Sequence, residues 1–145
     1  MNRATNRPRN AAVLAWLRLA RIYHKVDSAS AQLFRRYDQL STAQFDVLAH
    51  VGAAEGISQQ ELAASLLVTK GNISQLLVRL ERDGLVQRRQ DGRRNCLALT
   101  PAGRTLYEQV VPAQENSLAT MFAPLNDEEQ SQLLRLLRKL DQSIQ

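Results

Sequence analysis

The chain has 145 residues, 44% of them hydrophobic and 23% charged, with one cysteine; this fits one folded domain and excludes an internal disulfide framework. No apolar run approaches the roughly 20 residues that span a bilayer, and the run after the basic start "MNRATNRPRN" is broken by Arg18 and Arg21, a poor signal peptide, so a reducing cytoplasm is the expected location. The net charge of +5 sits on residues 1–40 (+6) and 69–104 (+5), against −3 in each of 41–68 and 105–145, a field that suits a polyanion binder or a solvated basic surface without a partner.

From Asn10 to about Leu40 the apolar period is helical. One stripe runs Leu19, Ile22, Val26, Ala29, Leu33, Tyr37, Leu40, and a second runs Val13, Trp16, Leu17, Ala20. Two stripes mean either a central, well-buried helix or a helix that meets a second copy of the chain. Ser41 with Gln44 forms a capping box, so a second helix starts at about Thr42 and buries Phe45, Leu48 and Val51. Ser58 with Glu61 repeats the signal for a short helix carrying Leu62, Ala63 and Leu66. Thr69 is an N-cap for "KGNISQLLVRLERDG", whose inner face is Ile73, Leu76, Leu77 and Leu80 and whose C′ residue is Gly84. Two short helices joined by about three residues make a helix-turn-helix.

The period then changes to two in "LVQRR" and "NCLALT". The Asp-Gly between them predicts a hairpin with a type I′ turn, so the arginine-rich "RRQDGRRN" is a hairpin tip. Thr100-Pro101 opens a further helix through Leu106, Tyr107, Val110 and Val111, which Pro112 is expected to kink. Asn126 with Glu129 caps a last helix with Leu133, Leu136, Leu137, Leu140 and Ile144 as its apolar stripe. The expected fold is mainly α with a small β-hairpin wing: a winged helix-turn-helix over residues 41–104, flanked by helical regions 1–40 and 105–145, within a single domain 1–145.

Catalytic patterns are missing: no HxxxH, CxxC, P-loop or GxSxG occurs, and His24, His50 and Cys96 are the only residues of their types. No enzyme, cofactor or metal site is expected. The face opposite the apolar stripe of the Thr69-capped helix carries Lys70, Gly71, Asn72, Ser74, Gln75 and Arg79, short polar groups suited to base edges and phosphates. Ser58, Gln59 and Thr69 stand at helix N-termini, where backbone amides favour phosphate. Arg88, Arg93 and Arg94 supply a wing that suits a minor groove. Asp91 either braces Arg93 through a carboxylate–guanidinium pair or merely supplies the turn.

"LSTAQFDVL", "ELAASLLVTKGNISQLLVRLERDGLV", "DGR" and "LTPAG", in that order over about Leu40 to Gly103, resemble the multiple antibiotic resistance regulator (MarR) family of bacterial transcription factors. The resemblance implies a homodimer joined through the terminal helices, each protomer presenting a winged helix to half of a pseudo-palindromic operator on double-stranded DNA. It further implies repression, with release by a small phenolic or lipophilic anion in a pocket lined here by Trp16, His24, Phe45 and Tyr107. Two departures stand out. Gly92 replaces the arginine common at the wing, whose loop is short, and no cysteine lies in the first helix. A winged-helix protein-interaction module without DNA contact, and a redox-responsive regulator acting through Cys96, are the alternative readings.

Overall fold

The computed structural model describes residues 10–66 and 70–144, without the side chain of Lys70. The elements are α1 (Ala11–Arg35), α2 (Thr42–Ala53), α3 (Gln59–Leu66), α4 (Lys70–Arg82), β1 (Val86–Asp91), β2 (Arg94–Leu99), α5 (Pro101–Phe122) and α6 (Asp127–Ser143). The order matches the expected winged helix-turn-helix with helical flanks.

The caps follow the sequence. Ser41 Oγ accepts from the Gln44 amide (3.1 Å) while the Ser41 amide donates to Gln44 Oε1 (2.9 Å). Asn126 and Glu129 make the same reciprocal pair (2.9 and 3.0 Å). Thr100 caps α5 by accepting from Gly103 N at 3.0 Å, with Pro101 at the first helical position. At the end of α4, Gly84 takes φ +73°, its amide donates to Glu81 O (3.0 Å), and Leu85 N donates to Leu80 O (2.9 Å). That paired closure satisfies the last carbonyls and turns Leu80 and Leu85 together into the core.

Two expectations need correction. The first helix ends at Arg35, not near Leu40, because Asp38 and Gln39 take left-handed φ (51° and 54°). Tyr37 and Leu40 still pack inward, which is why the apolar period outlasted the helix. The hairpin turn is Gly92-Arg93 and not Asp91-Gly92: Asp91 pairs with Arg94, and of the two turn residues only Gly92 has positive φ (+63°). Glycine first with an ordinary residue second is the pattern of a type II′ turn.

The core gathers Phe34, Leu48, Val51, Leu62, Ile73, Leu77, Leu80, Leu97 and Val110 from α1 to α5 and β2. Phe45 stacks on Phe34 with ring centroids 4.1 Å apart. The N-terminal half of α1 joins none of this: Trp16 is 66% and Tyr23 72% exposed. α6 buries no residue, and Leu134, Leu136, Leu137, Leu140 and Ile144 all stand open.

Candidate nucleic-acid interface

α4 buries Ile73, Leu77 and Leu80 and half-buries Leu76. Helical periodicity then sends Asn72, Gln75, Val78, Arg79 and Arg82 outward, and all five are exposed. With Ala43 of α2 they line a groove of about 740 Å³. Asn72, Gln75 and Arg79 were expected on this face. Val78 and Arg82 were not, although their spacing of three and seven from Gln75 is the same helical signal. Thr69 and the Lys70 side chain lie outside the described residues.

The wing is built on a third segment. Gly56 N donates to Leu97 O (2.9 Å), Leu97 N donates to Ile57 O (2.8 Å), and Ser58 bridges Cys96. The start of α3 is thereby fastened to β2. Ser58 Oγ accepts from Glu61 N at 3.1 Å, which is half of the expected capping box. The other half does not form, because the Glu61 carboxylate is taken by the Arg94 guanidinium, a stronger charge-assisted partner.

Among the described residues the ion pairs are Arg88 with Glu81, Arg94 with Glu61 and Arg104 with Glu55. Asp91 therefore does not brace Arg93; it closes the strand opposite Arg94, and the arginine held at the tip is Arg94. Arg93 is exposed at the turn and Arg89 on β1. The register pairs Arg88 with the buried Leu97 and Arg89 with Cys96. Strand alternation thus puts Arg88 on the core side and Arg89 on the other. Gln59, expected at phosphate, and Ser74, expected on the DNA-facing side of α4, bond each other: Gln59 Nε2 donates to Ser74 Oγ at 2.7 Å. Gln59 Oε1 accepts from Arg88 Nη1 at 2.8 Å. Such pairings span 15 and 29 residues and leave no trace in periodicity.

The four residues assigned to a ligand pocket do not converge. Trp16 and His24 are exposed on α1, and Tyr107 packs against Gly52 beneath Arg104, whose guanidinium lies 5.0 Å from its ring centre. Phe45 alone lines a cavity of about 210 Å³ between α1, α2 and α5, with Ser30, Phe34, Asp27, Asp46 and Gln114. Gln114 Nε2 donates to Ser30 Oγ (2.9 Å), and its buried Oε1 has no partner among the described residues. Partial burial raises the Asp46 carboxyl above its ordinary range, an effect that His50 opposes and Asp27 reinforces. Among the described residues no cluster of His, Cys, Asp or Glu is placed to hold a metal, and no helix is long and apolar enough to cross a membrane.

A family model described as "MarR family" matches residues 38–94. An uncharacterized HTH-type transcriptional regulator of Bacillus cereus is 38% identical over 128 residues, covering 88% of this chain and 86% of that one. The HTH-type transcriptional repressor YetL of Bacillus subtilis is 29% identical over 143 residues, covering 83% and 86%. The MepR–DNA complex of Staphylococcus aureus superposes with a TM-score of 0.79 at 27% identity, over 88% of this chain and 94% of that one.

Proposed function

Because the chain belongs to the MarR family of transcriptional regulators, we propose that it is a repressor that binds a pseudo-palindromic operator as a homodimer and leaves it when a small ligand binds. The observation that carries this reading is the outer face of α4. Asn72, Gln75, Arg79 and Arg82 stand exposed there with no carboxylate among them. In a major groove, Asn72 and Gln75 suit adenine edges, Arg79 suits guanine or phosphate, and Val78 suits a thymine methyl. Arg89, Arg93 and Arg94 of the wing suit the backbone or the adjoining minor groove. The S. aureus relative crystallised with DNA and the B. subtilis relative named a repressor support the same reading.

The dimer rests on the two unburied apolar faces, the first half of α1 and the length of α6. Contiguous apolar surface of this kind marks an interface. Ligand release rests on the cavity between α1, α2 and α5, where Gln114 Oε1 offers an unused acceptor. Asp27 and Asp46 beside it oppose the anionic ligand that the family resemblance implies. A neutral ligand carrying a donor for Gln114 fits better.

Footprinting on DNA from the protein's own promoter region tests the proposal. Two protected tracts related by two-fold symmetry, their centres about one helical turn (~10 bp) apart or a multiple of it, are expected. A single asymmetric tract, or none at low salt, would remove the dimeric operator reading.

A further inference from the structure

Arg88 looks, from its place in a basic wing, like one more phosphate contact. We infer that it is a positioning residue, and that Gln59, Ser74, Glu81 and Arg88 form a polar bridge that sets the wing against the recognition helix α4. The inference rests on the DNA-binding reading above and adds what fixes its geometry.

The bridge uses both ends of one amide and two edges of one guanidinium. Gln59, the first residue of α3, donates through Nε2 to Ser74 Oγ on α4 (2.7 Å) and accepts through Oε1 from Arg88 Nη1 on β1 (2.8 Å). Arg88 Nε donates to Glu81 Oε1 near the end of α4. Ser74 and Glu81 are seven residues apart, so they share a face and stand about 10 Å apart along the axis. The strand is thus tied to α4 directly at Glu81, and at Ser74 through Gln59. Two separated ties resist both sliding and rotation of the wing, which one tie would not.

Two further observations and the chemistry of arginine agree. Arg88 is opposite buried Leu97 on the core side of the hairpin, while its neighbour Arg89 faces the other way. The Arg88 and Glu81 side chains are only 31% and 34% exposed. A planar guanidinium can serve Gln59 and Glu81 in two fixed directions at once, whereas a lysine ammonium is a point charge on a flexible stem.

A phosphate contact and a bridge predict opposite results in one set of variants. DNA affinity is measured by fluorescence anisotropy across a salt series for wild type, R88K, R88A, E81A, Q59A and Q59A/R88A. For the bridge, R88K is as weak as R88A, about tenfold below wild type, because charge without the fork does not restore it. The slope of log affinity against log salt stays at the wild-type value. Q59A/R88A is no weaker than R88A, since both remove one unit. E81A weakens binding several-fold although it removes a negative charge beside DNA. For a phosphate contact, R88K retains affinity, R88A lowers the slope by about one per site, and E81A tightens binding; any of these overturns the bridge.

Hydrogen exchange of free protein keeps the two readings separable. R88K should speed exchange of the β1 and β2 amides while the core of α4 keeps its protection. Unchanged wing exchange in R88K contradicts the bridge. Wild type that binds no DNA at low salt contradicts the DNA-binding reading instead, and leaves the exchange result to decide the bridge by itself.

Discussion

α5 passes so close to Leu85 that a Cβ on Gly103 would lie 1.9 Å from the Leu85 carbonyl oxygen. The same carbonyl accepts from Thr100 N at 3.0 Å, and Thr100 Oγ1 donates to the Gly84 carbonyl. The start of α5 is therefore latched to the turn that links α4 to the wing, and the missing side chain is what lets the latch close.

Gly103→Ala should accordingly destabilise the protein by about 1–3 kcal/mol, the usual cost of forcing an atom into a packed site. Chemical denaturation measures it. Alanine is otherwise the better helix former, so a neutral or stabilising result would show that α5 does not sit this close.

The expected α4 face was legible because apolar and polar residues separate at a period of 3.6, and the caps were legible because Ser41 and Asn126 are followed three residues on by Gln44 and Glu129, and Thr100 directly by Pro101. What the sequence hid is specific. A change of backbone hand at Asp38 and Gln39 ends α1 while Tyr37 and Leu40 keep its apolar rhythm. The type II′ turn at Gly92-Arg93 displaces the tip by one residue from Asp-Gly. Glu61 and Arg94 are 33 residues apart, and only the folded wing makes them an ion pair in place of Asp91 with Arg93. Phe34 and Ser30, buried in α1, fall between the two stripes read from sequence.

The unburied faces of α1 and α6 make a prediction about assembly. Trp16→Glu and Leu137→Glu should each shift the protein toward monomer in sedimentation at micromolar concentration. Each should also weaken operator binding, because one winged helix then engages alone. Wild type that sediments as a monomer at the same concentration would contradict the dimer.

Recognition and wing residues should separate by readout. Gln75→Ala should change the order of preference among operator variants with base substitutions, each affected base pair shifting by about 1–3 kcal/mol. Arg93→Ala should weaken all sequences by a similar factor. If Gln75→Ala leaves discrimination intact, α4 meets DNA with another face.

Asp46 predicts a pH dependence. Its folded-state carboxyl lies above the ordinary range, chiefly through burial, so the folded protein holds that proton more tightly than the unfolded chain. Stability from the protonated form is complete below the unfolded value and is lost as pH rises through the folded one. Asp46→Asn should therefore raise Tm relative to wild type at neutral pH, and the difference should vanish near pH 3. An equal difference at both pH values would assign the effect to packing.

The central claim is that a basic winged helix engages DNA through phosphate contacts made by α4 and the wing. The salt dependence of binding to DNA from the protein's own promoter region tests it most directly. Each phosphate neutralised releases counterions, so affinity should fall steeply and linearly on logarithmic axes, by a slope of about 0.9 per contact. A flat response, or no binding even at low salt, would contradict the claim and favour a winged helix that docks protein instead.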